Sequence, residues 1–301
     1  YVDENGRTIF RQEGYQSVQA VPYDMMISGA DSAAVSTLRL WRAENVSNFN
    51  MKLFSQGEYI KAMEENNNAE VISKVLYPAD ATPEGKMLRL SQQYFFVSAS
   101  LQSIIADHLA MYGTLRNFGE KVAIHINDTH PAVCIPELMR IFMDIYSYSW
   151  EDAWNIVKQT VSYTNHTVMP EALECWNENI FKLRLPRLYM IIEEINRRFC
   201  ADMWNLYPGD WDRISRMAVI ANGQVRMANL SVVGSHTVNG VSKLHSEILK
   251  ETIFHDYYKA MPEKFTNVTN GIAHRRWLCY SNPGLTALLD DTIGSHYRKQ
   301  P

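Results

Sequence analysis

The stretch Lys121-Val122-Ala123-Ile124-His125-Ile126-Asn127-Asp128-Thr129-His130-Pro131 decides the fold class. Its first half is an apolar run of strand length. It ends in four polar residues before a proline, a residue suited to the first turn of a helix. Strand, polar loop, helix is the expected unit. The order recurs twice. Val161-Ser162-Tyr163-Thr164 precedes Asn165-His166-Thr167 and a helix expected from Pro170, and Leu230-Ser231-Val232-Val233 precedes Gly234-Ser235-His236-Thr237-Val238-Asn239-Gly240 and a helix expected over 241–250. Three such crossings predict an α/β fold, with a mostly parallel sheet, helices on both faces, and ligands at the carboxyl ends of the strands.

Working outward, residues 86–111 read as a strongly apolar, buried helix, including Leu90, Tyr94, Phe95, Phe96, Leu101 and Ile105. Residues 59–75 read as a helix with a wet centre, Glu64, Glu65, Asn66, Asn67 and Asn68, which predicts that it projects from the body or meets a partner. Residues 1–24 read as extended, with the alternation of Ser17-Val18-Gln19-Ala20-Val21 stopped by Pro22, and residues 38–41 as a short apolar segment. Ser149, with Asp152 three positions on, opens a further helix, and residues 187–206 form an amphipathic one closed by Pro208-Gly209. No repeat or low-complexity linker divides the chain, so one α/β domain over 1–301 is the simplest organisation.

With 301 residues, 46% of them hydrophobic, the chain can bury a large core. A net charge of −4 gives no general attraction to nucleic acid or anionic lipid. Cys134, Cys175, Cys200 and Cys279 lie far apart with no Cys-x-x-Cys pair, which fits a reducing compartment and a cytoplasmic location. No apolar run approaches about twenty residues. The start, Tyr1-Val2-Asp3-Glu4-Asn5-Gly6, lacks the marks of a signal peptide, and both ends read as cuts in a longer chain.

The loop at Asn127, Asp128, Thr129 and His130 offers amide, carboxylate and imidazole groups to a sugar's hydroxyls. An ordinary turn with Asp128 or Thr129 capping the next helix is the commoner use of such residues. His125 and His130 are five apart, a spacing that suits one face of neither a helix nor a strand, so no metal site is expected. In residues 234–240 two glycines let backbone approach a ligand, or simply make a structural turn, and the spacing is wrong for a dinucleotide fingerprint. Asn165 to Thr167 has similar chemistry, with Asn165 also a good turn-former. Arg275-Arg276 after Asn270-Gly271 could hold an anion or, more commonly, brace a carboxylate.

Taken together, Val21-Pro22-Tyr23-Asp24, Leu38-Arg39-Leu40-Trp41, Val75-Leu76-Tyr77-Pro78, Glu84-Gly85-Lys86-Met87-Leu88-Arg89-Leu90, Asn127-Asp128-Thr129-His130-Pro131, Tyr163-Thr164-Asn165-His166-Thr167-Val168, Gly234-Ser235-His236-Thr237-Val238-Asn239-Gly240-Val241 and Thr269-Asn270-Gly271-Ile272 resemble the glycogen, starch and maltodextrin phosphorylases along nearly the whole chain. The resemblance implies part of the amino-terminal domain of a two-domain GT-B-type phosphorylase. It implies phosphorolysis of terminal α-1,4-linked glucose to glucose 1-phosphate, with inorganic phosphate and α-1,4-glucan or maltodextrin as partners. Pyridoxal phosphate would be held by a lysine of a carboxyl-terminal domain outside this chain, leaving these residues inactive alone.

By the same resemblance His236 and Asp128 are the catalytic-site residues, and His130, Thr237, Asp80 and Asn127 bind substrate. The helix at 59–75 corresponds to a dimer contact, implying a homodimer. Two departures stand out. Ala81, Thr82 and Pro83 follow Asp80 where the family has an amide and an aromatic. Ala106-Asp107 follows Ile104-Ile105 where animal members carry an arginine pair for a nucleotide activator, so no AMP activation is expected. Two other readings remain open: a sugar-nucleotide-dependent glucan synthase, and a noncatalytic glucan-binding or dimerising truncation.

Overall fold

The computed structural model describes residue 2 and residues 8–29, 32–46 and 51–299. Residues 1 and 3–7 of the expected extended start, the side chains of Glu65 and Asn66, and residues 300 and 301 lie outside the described residues.

Among the described residues the strands are β1 (Val18–Ser28), β2 (Val35–Asn45), β3 (Ile124–Asn127), β4 (Val161–Thr164), β5 (Cys175–Asn177), β6 (Ile220–Ala221), β7 (Gln224–Arg226), β8 (Thr237–Gly240) and β9 (Phe265–Asn267). They make an antiparallel ribbon β1-β2, a parallel sheet β3-β4-β8-β9 and a small antiparallel sheet β5-β7-β6. The expected α/β fold with a parallel sheet flanked by helices is what forms. Pro22 does not stop β1, but pairs with Trp41 in mid-ribbon. A two-stranded ribbon has only edge strands, where proline is tolerated.

Register explains the sequence of the parallel sheet. Residues paired across neighbouring strands share a face, and successive residues alternate faces. Ile126, Tyr163, Val238 and Phe265 form one row, and the first three have no exposure. On the opposite face lie His125, Ser162 and Thr237, then Asn127, Thr164, Asn239 and Thr266. The apolar row joins a core that includes Ile135, Leu138, Phe142, Ile192 and Leu230.

The helix expected over 86–111 runs from Pro83 to Tyr112. Thr82 caps it by accepting from the Gly85 N–H, and Gly113 ends it at φ 66°. It buries Leu90, Val97, Leu101 and Ile105 and exposes Phe96. Tyr59–Lys74 packs on β2 and on this helix, burying Ala62 and Ala69 while Ile60 stays 87% exposed. The helices Trp150–Thr160, capped by Ser149, and Pro186–Leu206 lie where the sequence places them.

Three expectations need correction. Leu230 to Val233 belongs to a helix, Met227–Gly234, whose residues are buried all round, so the amphipathic period that separates helix from strand is missing. After Pro170 there is only a 3-10 turn, Pro170–Ala172, before β5. Pro131 sits in a turn three residues ahead of the helix Cys134–Arg140. The helix expected over 241–250 is Lys243–Ile248, continued by a π turn, Leu249–Ile253. No helix among the described residues is long and apolar enough to cross a membrane.

Candidate functional site

At the carboxyl end of β3 the backbone turns sharply at Asp128, which holds φ at 62°. Asp and Asn are the side-chain-bearing residues that best tolerate this left-handed region. The Asp128 N–H donates to the Thr164 carbonyl at 2.9 Å, so the loop stays tied to β4. Asp128 Oδ1 accepts the Thr129 N–H at 2.6 Å, within its own turn. The next helix starts only at Cys134, so this carboxylate is not that helix's cap. Thr129 is buried, and His130 emerges with its ring edge-on to Tyr77, centroids 6.5 Å apart.

The loop after β4 is built on Asn165. Its N–H donates to the Asn239 carbonyl at 3.0 Å, its amide donates to Tyr163 Oη at 2.9 Å, and its Oδ1 accepts the Thr167 N–H at 2.9 Å. Asn165 is fully buried and serves as the turn-former, which sends His166 outward, 2.6 Å from Asn127 Oδ1. Asn127, Asp128, His130 and His166 thus come together at the carboxyl ends of two adjacent strands.

Beside them opens a polar cleft of about 450 Å³, walled by Asp80, Lys86, Arg89, Asp128, Thr129, His130, Glu174, Trp176 and Asn177 among others. Arg89 holds two walls together, lying 3.5 Å from Asp80 and 3.4 Å from Glu174, and Gln93 donates to Glu174 at 3.0 Å. The loop carrying Asp80 rests directly on Gly85: a Cβ there would lie 1.8 Å from the Ala79 carbonyl oxygen. Two buried atoms of the walls have no partner within the protein, Glu174 Oε1 and Trp176 Nε1. One is an acceptor and one a donor. A second cavity of about 470 Å³ adjoins, lined mainly by apolar groups such as Leu76, Phe96, Val97, Leu101 and Ile104, with Asn127 and His130 at its edge.

The structure brings Asp80, Asp128 and His130 into one cleft and places Asn127 beside it. It does not bring His236 and Thr237 there. The His236 N–H donates to the Val161 carbonyl, whereas Asp128 bonds Thr164. Those levels are three residues, about 10 Å, apart along β4. The cause is the helix Met227–Gly234. Because the apolar run is helix, β8 begins only at Thr237, and Gly234-Ser235-His236 enters the strand at its amino end. His236 Nδ1 instead meets Thr237 Oγ1 at 2.8 Å. His166 is the residue missed, and its signal was its position, just past β4 as Asp128 is just past β3.

The polar face of the sheet carries a one-way hydrogen-bond chain. Thr164 donates to Asn239 Oδ1 at 2.8 Å, so toward the neighbouring His125 Nε2 it can only accept. That assigns the His125 proton to Nε2 and leaves Nδ1 to accept from Ser162 Oγ at 2.9 Å. Asn239 in turn donates to the Gly240 carbonyl at 3.0 Å. Partial burial, and then the neighbouring His236, push the His125 pKa down, in keeping with a neutral ring. Among the described residues no group of three or more His, Cys, Asp or Glu is placed to hold a metal.

A parallel α/β sheet whose strand-end loops wall a polar cleft has the crevice at which open α/β folds bind small ligands. Its lining of carboxylates, amides, imidazole and indole fits a neutral sugar better than an apolar or strongly charged molecule. The chain belongs to the carbohydrate phosphorylase family, whose profile matches residues 1–301. It is 51% identical over 299 residues to the glycogen phosphorylase of Bacillus subtilis (strain 168), covering 99% of this chain and 36% of that protein. Glycogen phosphorylase of Synechocystis sp. is 45% identical over 302 residues, covering 99% of this chain and 36% of that protein. The brain form from Rattus norvegicus is 48% identical over 293 residues, covering 94% and 35%. The chain spans about a third of the length of these curated relatives.

Proposed function

We propose that these residues form the sugar-pocket side of an α-glucan phosphorylase, a cytoplasmic glycosyltransferase that uses inorganic phosphate to release glucose 1-phosphate from terminal α-1,4 bonds. The observation that carries the reading is the cleft at the carboxyl ends of β3 and β4. There Asp128, His130 and Asp80 share the cleft wall with Glu174 and Trp176, whose buried Oε1 and Nε1 have no partner within the protein. Asp128 and His130 bind and orient the reacting glucose, with Asn127 and His166 steadying that wall. His236 and Thr237 act from the other end of the sheet, next to the His125 chain, and do not line the pocket.

Phosphorylases of this kind take pyridoxal phosphate, which supplies proton transfer at the substrate phosphate. The groups present do not fit that cofactor. Lys264, whose pKa burial pushes down to about 8, donates to the Val232 and Val233 carbonyls inside the fold, and Lys86 shares its cleft with Asp80, Asp128 and Glu174, which repel a phosphate. We therefore place the cofactor in polypeptide beyond these residues, and expect no turnover from them alone. Dimerisation would use the helix Tyr59–Lys74, where Tyr59, Ile60, Met63 and Val71 are exposed.

Full-length polypeptide supplied with maltodextrin and phosphate is expected to form glucose 1-phosphate. Glucan extension from UDP- or ADP-glucose with no glucose 1-phosphate would instead establish the synthase reading.

A further inference from the structure

The carboxyl end of β8 carries a buried donor that no described residue takes. His245 is 8% exposed and lies on the helix Lys243–Ile248, whose first turn Ser242 caps by accepting the His245 N–H at 3.1 Å. This helix rests on the strand itself: a Cβ on Gly240 would lie 2.7 Å from Ser246 Oγ and 2.9 Å from the Ser246 backbone nitrogen. Ser246 Oγ also donates to Asn267 Oδ1 on β9 at 2.8 Å. From that seat the His245 imidazole reaches back to Val241, whose N–H donates to Nδ1 at 3.1 Å, while the Val241 carbonyl accepts the Asn270 N–H at 3.0 Å. A ring nitrogen that accepts carries no proton, so the neutral ring holds its proton on Nε2. Burial, and then His166, push the His245 pKa down, in keeping with that neutral form. Nε2 is buried and has no partner among the described residues.

We infer that His245 is a further sugar-binding residue, its Nε2–H donating to a hydroxyl oxygen of the bound glucose. The inference rests on the sugar-pocket reading. A buried N–H without an acceptor is rare, because it has given up water and gained nothing in return. Its place narrows the acceptor. The order β3-β4-β8-β9 sets the loops after these strands side by side at one end of the sheet, where open α/β folds bind ligands. Thr164 pairs with Asn239, and the Asn165 N–H donates to the Asn239 carbonyl, so His166 comes level with Val241. His166 in turn meets Asn127 Oδ1 at 2.6 Å, beside Asp128. Only β4 separates β3 from β8, a distance of about 10 Å, which one sugar ring with a hydrogen bond on each side fills. An uncharged donor suits a hydroxyl oxygen, whereas a phosphate draws on charged side chains.

The test uses full-length enzyme carrying His245→Asn and His245→Gln. Asparagine puts its side-chain oxygen where Nδ1 lies and keeps the bond to the Val241 N–H, but does not reach as far as Nε2. Glutamine reaches that far with an amide donor and leaves Val241 without its acceptor. Calorimetric titration with glucose and its monodeoxy analogues reads the contact without turnover, and urea midpoints read the fold. Loss of the hydrogen bond raises the glucose dissociation constant roughly threefold to tenfold in His245→Asn at an unchanged midpoint. His245→Gln recovers part of the affinity at a lowered midpoint. One monodeoxy sugar binds wild type more weakly than glucose by the same factor, and binds His245→Asn as glucose does. Equal losses for every monodeoxy sugar in wild type and His245→Asn overturn the contact, as does a wild type that binds none of these sugars. A wild type that makes no glucose 1-phosphate yet shows this coupling overturns the phosphorylase reading and leaves the His245 contact standing.

Discussion

Asp128 holds two roles that substitutions can separate. Its backbone needs a left-handed φ of 62°, and its Oδ1 accepts the Thr129 N–H. An asparagine keeps both, since it tolerates this region and retains a side-chain oxygen, so Asp128→Asn is expected to change stability by less than about 0.5 kcal/mol. Alanine keeps neither. Holding a Cβ-bearing residue in the left-handed region costs about 1–2 kcal/mol, and the lost turn hydrogen bond adds about 1 kcal/mol, so Asp128→Ala destabilises by roughly 2–3 kcal/mol. Glycine relieves the backbone and loses only the hydrogen bond, about 1 kcal/mol. If the free carboxylate oxygen also accepts a glucose hydroxyl in the transition state, removing the charge weakens that contact by about 1.5–3 kcal/mol, a loss of roughly 10- to 150-fold in kcat/KM. Urea unfolding and glucose 1-phosphate formation by full-length variants are the two assays. Wild-type kcat/KM and wild-type sugar affinity in Asp128→Asn would refute the site reading and leave Asp128 as the residue that makes the turn.

Gly85→Ala is expected to displace the Asp80 loop, because its Cβ would meet the Ala79 carbonyl oxygen at 1.8 Å and backbone cannot swing away as a side chain can; KM for maltodextrin rises with the circular dichroism spectrum retained. His125→Gln tests the hydrogen-bond chain. A histidine pKa pushed down in the folded state contributes stability that is full above the unfolded value near 6.5 and lost as pH falls below it, so wild type should lose more stability than the variant on acidification from pH 7 to 5, read by urea midpoints. Ile60→Asp puts a charge on the exposed face of Tyr59–Lys74 and is expected to convert a full-length dimer to monomer in sedimentation, with unfolding unchanged. Asp107 is exposed on Pro83–Tyr112, where it would repel a nucleotide phosphate, so AMP at millimolar concentration should leave the rate unaltered; phosphate-dependent AMP binding would contradict this.

The fold was legible where a sequence pattern has a single physical cause. In β3 and β4 an apolar run of strand length gives way to polar residues at the point where backbone leaves the sheet, so both strands and both carboxyl-end loops could be placed. At Leu230 to Val233 the same composition misleads. A short helix buried on every side is as uniformly apolar as a buried strand, and the error carried His236 from the amino to the carboxyl end of β8. The cleft was half legible. Asp128 and His130 sit on a loop that announces itself, but Glu174 and Trp176 come from the segment after a 3-10 turn that read as helix, and only tertiary packing brings that segment to the cleft wall. The polar face of the sheet shows why register matters to such readings. His125, Ser162 and Thr237 are unremarkable in three separate segments, and become one row only when β4 pairs with both neighbours. A lone histidine in a strand therefore says little, whereas His125, between Ser162 in its own row and Thr164 in the next, has its tautomer fixed. That fixed tautomer leaves Ser162 Oγ as a hydrogen-bond acceptor toward solvent, a polarity that no reading of Ser162 in its own segment could supply.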